Sequence, residues 1–265
     1  MAETAPEETP ARQSVQAIDR AVAIMSVFSR ARPVAGVTEI AHLTSLSRST
    51  VHRILVSLAN HGLVSQLPRS TDYCLGPRLL GLADTARARL SLEQHAEPAM
   101  TALRDFTGET VALHVMDSTP ERRTVAQVES VHALRRTYTD IGSPLPPHQG
   151  APGKVLLAFA TVELQERVLG SDLRSAVTLT RVDPDRLRAE LAAIRKAGYA
   201  LSLEERVPGV VGLATPVRDH TGEVVAALSV SIPTLRAGVA ELEALAPRAV
   251  EAAGELSTHL GHHPG

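Results

Sequence analysis

The sequence predicts an α+β chain in two parts. An N-terminal winged helix-turn-helix spans residues 13–76, a linker helix spans 77–90, and a domain built around an antiparallel sheet spans 91–260. Three observations carry this prediction. Apolar residues recur at helical spacing in three runs before residue 61, with tight turns between them. Two short strand-like runs then flank the turn "PRSTD". Beyond residue 108, strand-like and helical runs are grouped without regular strand–helix–strand alternation, the pattern of an antiparallel sheet rather than a parallel one. Residues 1–12, acidic and Pro-rich, read as a disordered tail, and 261–265 as a flexible end.

The elements follow in order. From Gln13 to Arg30, Val15, Ile18, Val22, Met25 and Phe28 share one face and predict a helix with that face inward. Pro33 and Gly36 interrupt it, and Thr38 is placed to N-cap a short helix carrying Ile40, Ala41 and Leu43. After the turn "TSLSRST", Ser47 caps a third helix whose Val51, Ile54, Leu55 and Leu58 form one buried stripe. Gly62 is the natural left-handed residue after that helix. "LVSQL" and "YCLG" form the hairpin, Cys74 reads as a small buried hydrophobe on its second strand, and Pro77 opens a helix running through Leu90. In the second part, Ser91–Gly108 is helical with Leu92, Ala96, Met100 and Leu103 on one face. "TVALHVMD", "TVAQVES" and "ALRRTYT" read as strands, then 153–159, 162–169 and 184–196 as helices. "YALSL", "VGLATPV" and "VVAALSVSI" are strands, and Leu235–Leu260 is a terminal helix.

Composition bounds the function. The 265-residue chain, 44% hydrophobic and 21% charged, can bury a core in the manner of a globular protein. Apolar runs such as Val155–Ala160 are short. A bilayer span needs roughly 20 residues. The first residues lack the basic and apolar regions of a signal peptide, and the single cysteine fits a reducing cytoplasm. The formal charge of -2 hides an asymmetry, because residues 11–90 hold ten arginines against four acids. A basic third on an acidic chain points to a polyanion partner for that third.

The third helix says where that partner would sit. With the stripe inward, Arg48, Ser49, Thr50, His52 and Arg53 are left outside, beside the capping Ser47. Hydroxyls and amides at a helix N-terminus suit phosphates, and Arg48 or Arg53 has the reach and donor geometry for a guanine edge in the major groove. Arg69 stands at the hairpin tip, where a wing meets the flanking backbone. The pattern alone is also that of a three-helix dimerisation module with a solvated face.

Catalysis finds little support. "PPHQGAPGKVLLAF" superficially resembles a nucleotide loop, but Gly153-Lys154 is followed by Val155 instead of Ser or Thr, and His148 stands where the first glycine belongs. Nucleophile-elbow, zinc-protease and paired-cysteine motifs do not occur. No cofactor or metal is expected: His259, His262 and His263 read as solvated, His114 as a satisfied structural histidine, and Lys154 as a solvated first-turn residue.

"SVQAIDRAVAIMSVF", "TEIAHLTSLSRSTVHRILVSLANHGLV", "YCLGPRLLGLA", "TGETVALHV", "GSPLPPHQGAPGKVLLA", "AGYALSLEERVPGVVGLATPV" and "VVAALSVSIPTLR" together resemble the IclR family of bacterial transcription regulators, over residues 13–260. The resemblance implies a DNA-binding, ligand-responsive regulator, a repressor by default with an activator as the alternative. It would act as a homodimer or tetramer on a palindromic double-stranded operator in the cytoplasm. An enzyme with an autoregulatory head, or a ligand-independent architectural protein, are the other classes. The family's second domain is GAF-like, and by motif its effector would touch Gly150, Ala151, Ser202, Gly212, Ser229 and Ser231. Amides and hydroxyls of this kind hold a carboxylate without a formal cation. Many relatives carry Asp at position 202 and Cys at 212. Ser202 and Gly212 therefore predict a wider cavity and a bulkier acid.

Overall fold

The computed structural model describes residues 15–29, 31–87, 91–116, 119–139 and 141–263, and divides into two units, 1–89 and 90–265. The expected tail over 1–12, the end of the linker helix at 88–90 and the last two residues lie outside the described part.

In the first unit, helices α1 (Gln16–Met25), α2 (Val37–Thr44) and α3 (Arg48–Asn60) precede a three-stranded sheet and helix α4 (Arg78–Arg87). The sheet pairs β1 (Ala35–Gly36) and β2 (Val64–Gln66) with the central β3 (Asp72–Leu75), all antiparallel. Ile24, Ile40, Val51, Leu55, Val64 and Tyr73 fill the core. Each such aliphatic side chain contributes roughly 1.5–3 kcal/mol on full burial.

Three local expectations change here. Thr38 is no cap: Ala35 and Gly36 are taken up by the sheet, so α2 starts at Val37 with Gly36 as N-cap and Thr38 in the first turn. The stripe of α1 is rotated. Ile24 is fully buried and Val27 and Phe28 follow it inward, whereas Val15, Ile18 and Val22 are 61%, 61% and 51% exposed. The apolar face read from the sequence is therefore largely separate from the core of its own unit. Cys74 is only half-buried on β3.

In the second unit, five strands pair antiparallel in the order β5-β4-β8-β7-β6. They are β4 (Thr110–Met116), β5 (Arg122–Val128), β6 (Ala200–Leu203), β7 (Val210–Arg218) and β8 (Val224–Pro233). Strand alternation splits the side chains between two cores. Val111, Leu113, Leu213 and Val230 meet α5 (Leu92–Thr107) and α9 (Val239–His259). Ala200, Ala214 and Ala227 meet α6 (Ala151–Ala158), α7 (Val162–Leu169) and α8 (Pro184–Ala197) on the other face. The terminal helix begins at Val239 because Gly238 is its N-cap, its N–H donating to Glu241 Oε2 at 2.8 Å.

The stretch "ALRRTYT" is no strand. Its backbone is satisfied by side chains instead of a ladder: Thr110 Oγ1 donates to the Arg136 carbonyl at 2.5 Å, and the Gln127 amide accepts from Tyr138 N–H and donates to its carbonyl. Such bonds offer the chain a stable alternative to pairing.

Candidate functional site

The first candidate site is the outer face of α3. Ser47 caps the helix, its Oγ accepting from Thr50 N–H at 3.2 Å and lying 2.9 Å from Thr50 Oγ1. Val51, Leu55 and Leu58 are buried and Ile54 is half-buried, which leaves Arg48, Ser49, His52 and Arg53 exposed and Thr50 half-exposed. No acidic residue occupies the first turn, and neither Arg48 nor Arg53 is in an ion pair among the described residues. Arg69 is exposed in the turn between β2 and β3, in the left-handed region at φ 59°. The helix therefore presents two uncommitted guanidiniums and several hydroxyls, a donor set fitted to phosphates and base edges.

The second candidate site is a cavity in the second unit, on the α6 side of the sheet. Strand register builds it. Ser202 on β6 stands opposite Gly212 on β7, Gly212 opposite Ser231 on β8, and Ser231 opposite Thr110 on β4, one row across four strands. Ser202, Gly212 and Ser231 line the cavity with Gly150 and Ala151 from the start of α6. Gly150 has φ +76°, and a Cβ there would lie 3.2 Å from Arg206 Cδ, so both backbone and neighbour favour glycine. Gly153, one turn on, permits the helix to approach the Pro147 carbonyl, which a Cβ would meet at 2.5 Å. The glycines that give this stretch its likeness to a phosphate loop thus serve a turn and a close packing contact.

Ser229 does not line this cavity. Its Oγ donates to the Ala112 carbonyl and bonds His114 Nε2 at 2.9 Å. The Gly150 amide is also already engaged, donating to Glu205 Oε2 at 2.9 Å, so it is not a free donor for a ligand. Gly212 opens little space: a Cβ there would stand 3.3 Å from the Val230 carbonyl, and Arg122, Arg136, Arg206 and Tyr138 fill the region around it. The cavity measures about 50 Å³ for the centres of water-sized spheres. That is room for about two waters at roughly 30 Å³ each. The expected wide chamber is absent. A broader open groove of about 550 Å³, bordered by Leu134, Leu235 and Pro233, adjoins it through Arg136, Val207 and Val210.

The cavity is strongly charged. The expectation of a carboxylate site without a formal cation gives way to three lining guanidiniums, those of Arg122, Arg136 and Arg206. Arg122 is 1% exposed, and its Nη1 donates to His114 Nδ1 at 3.2 Å while its Nε has no partner among the described residues. Burial, then the nearby Arg206 guanidinium, lowers Arg122 to about 10, so it remains a cation at neutral pH. Burial also lowers Arg206, with Arg136 adding to the effect. Arg136 lies over the Tyr138 ring at 4.7 Å, and Tyr138 Oη is 2.9 Å from Ser231 Oγ. The only sequence signal for Arg122 is its parity with Thr124, which places both on the inward face of β5.

Lys154 is likewise corrected from solvated to buried. It is 1% exposed, and its Nζ reaches Glu190 Oε1 and Glu205 Oε1 at 2.5 Å each and the Leu201 carbonyl at 3.2 Å. His114 is fully buried and hydrogen-bonded on both nitrogens, as a structural histidine is. Because arginine can only donate, Nδ1 is the acceptor and Nε2 carries the proton toward Ser229.

Burial first, then the Arg122 charge, holds His114 well below 6.5. A histidine kept neutral in the fold takes up its proton on unfolding, so the second unit loses stability as the pH falls below about 6.5, by up to about 1.4 kcal/mol per pH unit. Denaturant titrations between neutral and mildly acidic pH should show this slope, and His114→Gln should flatten it. Equal slopes in the two proteins would remove His114 as its source.

Among the described residues no helix is long and apolar enough to cross a membrane. The model of the IclR helix-turn-helix domain matches residues 17–68, and that of the bacterial transcriptional regulator IclR C-terminal region matches residues 85–258. The HTH-type transcriptional regulator BhcR of Paracoccus denitrificans is 34% identical over 244 residues, covering 92% of this chain and 86% of its own. A solved IclR-type regulator from a Silicibacter species superposes with a TM-score of 0.85 at 26% identity, covering 95% of this chain and 98% of that one. An IclR homologue from Microbacterium hydrocarbonoxydans, solved in complex with 4-hydroxybenzoate, superposes with a TM-score of 0.57 at 28% identity over 92% of this chain and 99% of that one. These relatives are regulators of transcription and not enzymes, and the matches extend over both the α3 module and the sheet that forms the cavity. The chain is a DNA-binding transcriptional regulator belonging to the IclR family.

Proposed function

We propose that this protein is a ligand-responsive repressor that binds a two-fold symmetric operator in the cytoplasm as a dimer, or as a dimer of dimers. Residues 13–76 bind DNA, 77–90 link the units, and 91–260 take a small organic acid. The observation that carries the reading is the outer face of α3, where Arg48, Ser49, Thr50, His52 and Arg53 stand with no carboxylate in the first turn. Ser47 and Arg69 extend that surface to the flanking phosphates.

Dimerisation is supported by apolar side chains left outside the first unit's core. Val15, Ile18 and Val22 lie on one face of α1, and Leu80 and Leu82 of α4 are 70% and 51% exposed. Each is a large apolar side chain that the unit's own core leaves uncovered. A second copy covering them would place two α3 helices for two half-sites. For the effector, Ala151, Ser202, Gly212 and Ser231 gather at one cavity, while Gly150 and Ser229 shape it through Glu205 and His114. The 4-hydroxybenzoate held by the Microbacterium relative supports an organic acid as the ligand class. Binding switches the protein only if the acid binds the operator-bound and free states unequally.

Footprinting over the DNA flanking the protein's own gene tests this. A discrete protected site is expected, with half-sites about one helical turn, roughly 34–36 Å, apart or a multiple of it. Protection spread evenly along the DNA would sink the proposal.

A further inference from the structure

We infer that the cavity selects a small acid with two anionic groups, either two carboxylates or one carboxylate and one phosphate. This rests on the reading of the cavity as the effector site. Arg122, Arg136 and Arg206 line it, and no acidic side chain does. None of the three is in an ion pair with a carboxylate among the described residues. Arg122 donates to the neutral His114 and leaves Nε without a partner, Arg136 bonds the Thr137 carbonyl and covers Tyr138, and Arg206 meets no acid. The neighbouring carboxylate, Glu205, has one oxygen on Lys154 and the other on the Gly150 amide.

Three cations in one cleft with no resident anion form an incomplete electrostatic set, because a desolvated charge is tolerated only when paired. One carboxylate leaves two guanidiniums uncompensated, whereas two anionic groups leave one. Arginine also matches carboxylate and phosphate oxygens two at a time. Ser202, whose hydroxyl has no partner among the described residues, supplies a further donor.

Calorimetric titration of the full chain at fixed ionic strength decides the matter. Malonate and malate carry two carboxylates, and phosphoglycolate a carboxylate and a phosphate of up to two further charges, which distinguishes phosphate from a second carboxylate; propionate, lactate and 4-hydroxybenzoate represent monoanions. At least one of the three acids with two anionic groups is expected to bind about tenfold or more tightly than every monoanion, a gap of about 1.4 kcal/mol. Arg206→Gln and Arg136→Gln, at less buried positions than Arg122, are each expected to erase most of that gap while the circular dichroism spectrum is retained. Equal affinities, tightest binding by 4-hydroxybenzoate, or an unchanged gap in Arg206→Gln would each overturn the inference of two anionic groups while leaving an effector cavity in place. Failure of all six acids to bind would overturn the cavity reading itself.

Discussion

Arg53→Ala is expected to strip the protein of operator recognition while leaving its fold and oligomeric state untouched. Arg53 is exposed on the outer face of α3, with no ion-pair partner among the described residues and no part in the core of Val51, Leu55 and Leu58. Its removal therefore has little structural cost. A good guanidinium contact to a base contributes about 1–3 kcal/mol, and a symmetric dimer loses it twice, so the operator affinity should fall by roughly 2–6 kcal/mol, from about 30-fold to more than 10⁴-fold. Non-specific binding should fall far less, because it rests on the phosphates. Mobility-shift titrations with operator and scrambled duplexes separate the two. If Arg53→Ala weakens both equally, the residue is a phosphate contact. If it weakens neither, the reading face lies elsewhere.

Lys154→Met is the substitution expected to destabilise the second unit most. The ammonium is buried while its partners Glu190 and Glu205 are 42% and 31% exposed. Deleting it leaves two carboxylates facing each other beside α6. A fully buried pair loses about 3–5 kcal/mol when one partner goes; the solvent reaching these glutamates reduces that to about 2–4 kcal/mol. For a unit of this size that lowers the unfolding midpoint by about 4–16 °C. Adding Glu190→Gln and Glu205→Gln should restore much of the loss, since the cost is mainly repulsion. A midpoint unmoved by Lys154→Met would show that the ion pairs contribute nothing net.

The winged helix-turn-helix was legible because its signals are local. A four-residue stripe, a serine cap and a glycine stop define α3 without reference to anything distant. The order of strands and helices in the second unit was legible for the same reason. Where the sequence misled, local pattern could not say what a segment packs or bonds against. The Val15, Ile18 and Val22 stripe has helical period, yet period cannot say whether an apolar face meets its own core or another surface. Residues 133–139 have strand-like composition, but the Thr110 and Gln127 side chains claim their backbone from elsewhere in the chain. Charged residues were the largest omission. Pattern reading assigns arginine and lysine to the surface. Arg122 and Lys154, both 1% exposed, were therefore invisible until the fold brought His114, Glu190 and Glu205 to them. The cavity's position followed from the family resemblance, and its charge did not.

Glu205 and Arg206 are consecutive, so the segment that ties down the start of α6 also supplies a guanidinium to the cavity. Glu205 is tied by its two oxygens to the Lys154 ammonium inside α6 and to the Gly150 amide at its mouth, while Arg206 borders the cavity. Only one peptide unit, about 3.8 Å between Cα atoms, separates the anchor from the cavity-facing side chain. The first turn of α6 and the guanidinium of Arg206 are therefore positioned by one short, doubly anchored segment.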